Sequence, residues 1–428
     1  MDSGTRALPQ DGLSFDVNLA TRRPRLSPDS LMSRPLRRLA QALLARLQAG
    51  SIELRLPDGT RLHGEGTAPG PAASIHLHRW RPLLRMLLRG DIGLAESYRD
   101  GDWSTPDLTA LLEAGIRNDT GWDDELAAAW PLRLLLQLGH RRRDNTRRGS
   151  RRNIAFHYDL GNDFYRHWLD PDLVYSSGIY RRADDTLEQA QAAKLRRVAE
   201  LLELPAGDAP ARVLEIGCGW GALACALAHT ADAHVTGLTL SSEQLAHAQE
   251  RVVREGLSDR IDLRLQDYRA PEGHGEYDRI VSIEMIEAVG ERHWPTYFRT
   301  LHDRLKPGGV AVIQAITIDD ARFEHYRRNV DFIQRFIFPG GMLPSPGALQ
   351  RETERAGLQL TASETFGPSY AATLVEWRRR FRQAWPAIAA LGFDARFGRL
   401  WEYYLSYCEA GFRSGRVDVG LYTLQRPS

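Results

Sequence analysis

The sequence predicts an α/β fold, a parallel sheet with helices on both faces, preceded by a smaller α+β domain. Three observations carry this. From Ala211 onward, short apolar runs alternate with stretches of helical spacing. The first run passes into its helix through a glycine-rich turn, EIGCGWG (Glu215–Gly221). Upstream of about residue 138 the apolar period switches between that of a helix and that of a strand, as expected of a separate, smaller unit.

In chain order, residues 1–34 are rich in Pro, Arg, Ser and Asp and hold no apolar core segment, which predicts a flexible tail rather than a secretory signal. RPLRRLAQALLARLQAG has leucines at three- and four-residue spacing and predicts a helix ending at Gly50. SIELRLPDGTRLHGEG alternates apolar and polar residues around Pro57-Asp58-Gly59, a hairpin pattern, and SIHLHRW adds a short strand. WRPLLRMLLRGDIGLAESYRDGDW returns to helical spacing. These elements form a small N-terminal domain, residues 35–138, in which His63, His76 and His78 read as surface strand residues rather than ligands.

Residues 139–152 form an arginine-rich linker, with seven arginines between Arg141 and Arg152 against the single acid Asp144. A solvated linker and a contact with an anionic membrane surface through Arg141, Arg142, Arg143, Arg147 and Arg148 are both consistent with it. Residues 153–428 then form the larger domain. RVLEIG, AHVTGLTL, RIDLRLQDY, YDRIVSIEMIEAV and GGVAVIQAIT read as strands, with helices ALACALAHT and SEQLAHAQERVVREG between the first three. In such a sheet ligands collect at the carboxyl ends of the strands.

Composition narrows the function classes. A formal net charge of +1 gives no global attraction to nucleic acid, and three cysteines without ligand spacing predict neither a metal centre nor a disulfide scaffold, consistent with a cytoplasmic protein. No run of about 18 apolar residues occurs, which leaves peripheral attachment at the inner face of the membrane as the available membrane mode.

The glycine loop is informative through its context. A dinucleotide site uses an acid about 20 positions on for the ribose hydroxyls; here the second strand ends GLTLSSEQ, with Thr239 and Gln244. No Walker lysine follows the glycines, which argues against a nucleoside triphosphate. The third strand ends QDY, where a carboxylate and a ring suit an adenine. Together these point to S-adenosylmethionine.

HYDLGNDFYRHWLDPDLVYSSGIY, VLEIGCGWGALA, GLTLSSEQ, DRIVSIEMIEAVG, FIFPGGMLPS and CEAGFRSGRVDV resemble the cyclopropane fatty acid synthase family of S-adenosylmethionine-dependent lipid methyltransferases, from about Asn153 to the C-terminus. GDIGLAESYRDGDW resembles its phospholipid-acting members. The resemblance implies a class I, Rossmann-like methyltransferase fold, acting on the double bond of an unsaturated phospholipid acyl chain. It implies cofactor contacts at Tyr175, Ser176, Gly217, Gly219, Thr239, Gln244, Asp267 and Tyr268. For the ring-forming members it implies a bound bicarbonate, whose ligand positions fall here on Ser177, Glu287, Gln314, Tyr370 and the backbone of Ile316.

At two of those positions the family's cysteine and histidine are Ser177 and Gln314, which puts bicarbonate use in question and makes Glu287 a candidate base. A carbocation left by methyl transfer calls for aromatic faces, and Tyr158, Phe164, Tyr165, Tyr175, Tyr180, Phe338 and Tyr370 are candidates, although a core role is the commoner one for any single ring. The motifs SSG, EMIEAVG and IQAITID are nearer the fatty acid methylating branch. The product class therefore spans a methylated or methylene chain and a cyclopropane. Cyclopropane-fatty-acyl-phospholipid synthesis proper, a small-molecule methyltransferase and a silent lipid-binding relative are the competing readings. A reductase partner and a homodimer are left open by the sequence.

Overall fold

The computed structural model describes residues 30–119, 160–205, 209–270 and 275–428. The arginine-rich segment 139–152 and Tyr158 lie outside the described residues. The chain divides into two compact units, one of residues 1–132 with Arg382–Ala410, the other of Arg133–Phe381 with Gly411–Ser428.

The first unit holds strands β1 (Ala49–Arg55), β2 (Arg61–Glu65), β3 (Ala68–Leu77) and β4 (Trp103–Ser104) in the order β2-β1-β3-β4. The hairpin lies where the alternation places it, with Leu54 opposite Leu62 and Gly59 at φ +86° in its turn. The helix before it differs from expectation. It runs Ser30–Leu44 and stops short of Gly50, which already lies in β1. Gly50 serves a close backbone approach within the sheet instead of a helix end: a Cβ there would lie 2.3 Å from the Pro71 carbonyl oxygen, and its φ is +72°.

The helix Arg81–Arg99 breaks at Gly90, which has φ 58° and ψ −138°. The sequence reading runs the larger domain unbroken to Ser428, but Arg382–Ala410 belongs to the first unit. Buried polar pairs tie it there: Tyr98 donates to Glu402 (2.9 Å) and Thr109 to Glu409 (3.0 Å). Period and propensity do not encode such long-range pairs.

The second unit is built on a seven-stranded sheet, β5 (Ala211–Ile216), β6 (Ala233–Thr239), β7 (Ile261–Leu265), β8 (Tyr277–Ile283), β9 (Leu305–Ile318), β10 (Gln359–Thr365) and β11 (Val417–Gln425), in the order β10-β11-β9-β8-β5-β6-β7. The five strands expected from the alternation are parallel, while β11 runs antiparallel to both β9 and β10. Val213, Leu214, Ile280, Val281, Ala311 and Val312 have no exposed surface, which accounts for the unbroken apolar runs: strands covered on both faces need no polar side. Each such Val, Leu or Ile side chain withdrawn from water contributes about 1.5–3 kcal/mol. Because β5 pairs with β6 on one side and β8 on the other, successive crossovers leave in opposite directions above it. That switch point opens a crevice at the carboxyl ends of β5, β6 and β8.

Candidate active site

The crevice is a cavity lined by Tyr175, Ser176, Gly217, Gly219, Thr239, Gln244 and Tyr268, seven of the eight positions expected to contact a cofactor. Gly217 follows β5 with φ +85°, and a Cβ there would lie 2.6 Å from Met285 Cγ, so only glycine keeps this wall open. Gly219 also has a positive φ, +53°. Thr239 donates to Gln244 Oε1 (3.0 Å), while Ser241 caps the following helix, Ser242–Arg254. The eighth position, Asp267, is not among the lining residues. The Asp267 carboxylate is engaged by Arg269 (2.9 and 2.7 Å), and Gln266 and Tyr268 line the cavity on either side of it. A guanidinium two residues on in a turn reaches the carboxylate first, a competition that the motif QDY does not display.

Two charged groups in this wall escaped sequence reasoning. Lys194 is 1% exposed and donates to Ser176 Oγ at 2.6 Å. Burial lowers its pKa to about 8, against the opposing charges of Glu284, Asp170 and Glu215. Glu215, 3% exposed at the end of β5, has a buried Oε2 without a hydrogen-bond partner, and burial pushes its pKa up to about 8, opposed by Lys194. A signal for Lys194 existed: it falls on the buried stripe Leu187, Ala190, Gln191, Ala193, Val198, Leu202 of the helix Leu187–Leu202. A lysine on such a stripe is rarely left without a purpose.

Beside this cavity lies a second centre. Ser177, Gln314 and Tyr370, expected around a proton acceptor, converge on one carboxylate, and it is that of Glu284. Its Oε1 accepts from the Ser177 N–H (2.9 Å) and Gln314 Nε2 (2.7 Å), and its Oε2 from the Tyr370 hydroxyl (2.7 Å). The Ser177 hydroxyl was expected to face an anion; it donates instead to the Gly178 carbonyl (2.8 Å), leaving the backbone N–H as that residue's donor. The fifth expected residue, Ile316, donates its N–H to Glu287 Oε1 (2.6 Å).

Glu284 lines the cavity and Glu287 does not. Burial raises both pKa values, with that of Glu287 pushed to about 8 by burial first and the Glu284 charge second. The donors and Lys194 oppose the rise at Glu284. Two acids three apart in SIEMIEAV, just past the apolar run of β8, were the visible signal for a carboxylate pair.

Tyr370 stacks on Phe412, with ring centroids 4.5 Å apart, and meets Trp377 edge-on. Tyr175 packs against Tyr165, Trp168 and Trp377. Phe164 and Tyr165 have no exposed surface and belong to the core. The FIFPGGMLPS loop is tied to the same centre, since Met342 donates its N–H to the Glu287 carbonyl (2.7 Å).

The family model for mycolic acid cyclopropane synthetase matches residues 145–421. The tuberculostearic acid methyltransferase UfaA1 of Mycobacterium tuberculosis is 40% identical over 404 residues, 90% of each chain. The cyclopropane-fatty-acyl-phospholipid synthase of Escherichia coli is 38% identical over 371 residues, 83% of this chain and 87% of the other. Among solved structures, mycolic acid cyclopropane synthase CmaA1 complexed with SAH and CTAB superposes with a TM-score of 0.59 at 31% identity, covering 64% of this chain and 98% of that one.

Proposed function

We infer the function from a premise and a geometry: the chain belongs to the mycolic acid cyclopropane synthetase family, and it is an S-adenosylmethionine-dependent methyltransferase of unsaturated lipid acyl chains. The observation that carries the reading is a buried carboxylate pair set beside a cavity whose charges complement that cofactor. The orphaned Glu215 Oε2 and the Lys194 ammonium suit the ammonium and carboxylate of its amino-acid end, and Tyr268 and Gln266 remain for the adenine.

When bound, the cofactor supplies an activated methyl to the alkene, leaving a carbocation on the chain. The residues around it do the rest. The apolar part of the cavity wall, Leu173, Val174, Ile216 and Leu238, would hold the weak nucleophile close and exclude water that would otherwise trap the cation. Tyr175, in the cavity wall, is the ring placed to stabilise positive charge there. A carboxylate then removes a proton. Loss of a proton from the added methyl closes a cyclopropane; a 1,2-hydride shift from the methyl-bearing carbon to the cation, followed by loss of a methyl proton, leaves a methylene branch, which a separate hydride-donating reductase would convert to a methyl branch.

Two features favour the methylating outcome: the 40% identity to a methyltransferase named for tuberculostearic acid, and an acidic centre without histidine. We further read the enzyme as cytoplasmic and peripheral at the membrane. Among the described residues no helix is long and apolar enough to cross a bilayer, and Arg141, Arg142, Arg143, Arg147 and Arg148 supply a cationic segment for anionic lipid. Mass spectrometry of phospholipid fatty acids, from cells with and without the protein and supplied with deuteriomethyl methionine, tests the reading. A labelled methyl, methylene or ring carbon in the acyl chains is the expected result; label only in small molecules refutes it.

A further inference from the structure

Glu284 is the meeting point of three buried donors. Ser177 and Gln314 have no exposed surface and Tyr370 only 6%, yet from three distant parts of the chain they aim one N–H, one amide and one hydroxyl at a single carboxylate. Convergent buried donors of this kind define an anion site, because each would otherwise be left unpaired. Two further donors nearby are committed elsewhere, the Ser177 hydroxyl to Gly178 and the Ile316 N–H to Glu287, while Gln314 Oε1 and Glu287 Oε2 are buried without a hydrogen-bond partner.

The backbone supports the same conclusion. Glu284 follows β8 with φ +49°, one of three non-glycine residues with positive φ among those described, and its N–H donates to the Gln314 carbonyl (2.9 Å). A left-handed conformation at a residue with a long side chain persists only where its surroundings over-determine it. Here it turns the side chain off the strand and into the donors, in the wall of the cofactor cavity.

We propose that Glu284 is a tethered replacement for a free anion such as bicarbonate, and that its carboxylate is the proton acceptor of the reaction. A C–H bond of the added methyl breaks, its electron pair forms the third ring bond or, once a 1,2-hydride shift has moved the cation to the methyl-bearing carbon, the C=C of a methylene branch, and the proton passes to a Glu284 oxygen. Glu287 lies outside the cavity wall and accepts from the Ile316 N–H. The proposal rests on the lipid methyltransferase reading and adds to it the identity of the base and independence from dissolved bicarbonate.

The test compares full-length native protein with Glu284→Gly and Glu284→Gln, on vesicles of unsaturated phospholipid in buffer stripped of bicarbonate. Glycine accepts the left-handed backbone and empties the site; glutamine fills it with a group that takes no proton. Native turnover should change by less than about twofold on stripping. Both variants should lose about a hundredfold or more, the usual worth of a positioned base, while still binding S-adenosylhomocysteine. Added bicarbonate or formate should return about tenfold to Glu284→Gly and nothing to Glu284→Gln. Native activity that collapses on stripping, a Glu284→Gln variant that turns over normally, or a Glu284→Gly variant that is not rescued would each overturn the proposal.

A second measurement needs no turnover and separates this proposal from the substrate reading. In carbon NMR, labelled bicarbonate should bind Glu284→Gly and not the native protein. Binding to the native protein refutes the tethered anion even if the lipid reading stands, and the absence of any methylated lipid with native protein refutes the lipid reading alone.

Discussion

Replacing Lys194 by methionine keeps an unbranched apolar stem and removes one ammonium from the cofactor cavity. That ammonium sits 2.6 Å from Ser176 Oγ, with the charges of Glu284, Asp170 and Glu215 around it. It is the buried cation of the cavity wall available to a ligand's carboxylate. A hydrogen bond to a charged group is worth about 1.5–3 kcal/mol, so affinity for S-adenosylhomocysteine should fall about 10- to 100-fold. Methylthioadenosine has the same nucleoside and sulfur but no amino-acid end, and its affinity should change by less than about threefold. The fold should tolerate the change near pH 7, because burial already raises the pKa values of Glu215 and Asp170 and both acids can take up a proton once the lysine is gone. Calorimetric titration of both ligands into both proteins at pH 7, below the lysine's value of about 8, makes the comparison. Equal losses for the two ligands would show that Lys194 supports the pocket as a whole, and no loss for either would remove it from cofactor binding.

Tyr370→Phe removes one donor to Glu284 while keeping the stacked ring, so turnover should fall about tenfold with S-adenosylhomocysteine affinity unchanged; parallel kinetics and calorimetry decide. Glu287→Gln should also leave cofactor binding intact and should cost less turnover than Glu284→Gln, because Glu287 does not line the cavity; the reverse order in a side-by-side assay would make Glu287 the base. The same variant tests a pH effect. A carboxyl raised from 4.5 to about 8 binds more protons folded than unfolded between those values, so stability falls as pH rises through that window, by up to about 1.4 kcal/mol per pH unit for each such group. Urea unfolding from pH 5 to 8 should show this decline, and it should be shallower in Glu287→Gln. Changing Arg141, Arg142, Arg143, Arg147 and Arg148 to glutamine should weaken sedimentation with anionic vesicles, as should 1 M salt, where screening shortens to about 3 Å; insensitivity to both would leave the segment a linker.

What the sequence determined by itself was whatever local period and turn chemistry encode. The alternation of RVLEIG, AHVTGLTL, RIDLRLQDY, YDRIVSIEMIEAV and GGVAVIQAIT was enough for the five parallel strands, because strands covered on both faces must be apolar throughout. The glycines of EIGCGWG were legible because the backbone there needs positive φ. The edge strand β10 and its neighbour β11 were not read: QLTASET is largely polar, and its pairing with VDVGLYTLQ is a long-range contact. The ring of site residues was legible in type, yet its centre was not. Ser177, Gln314 and Tyr370 lie 107, 30 and 86 positions from Glu284, and only the folded sheet brings them to one carboxylate. Likewise, Asp267 spends its charge on Arg269, and Lys194 becomes a pocket residue by lying on the buried side of its helix. Hydrogen-bond partners are chosen by distance in space, and a pattern along the chain states which groups are present without stating which of them meet.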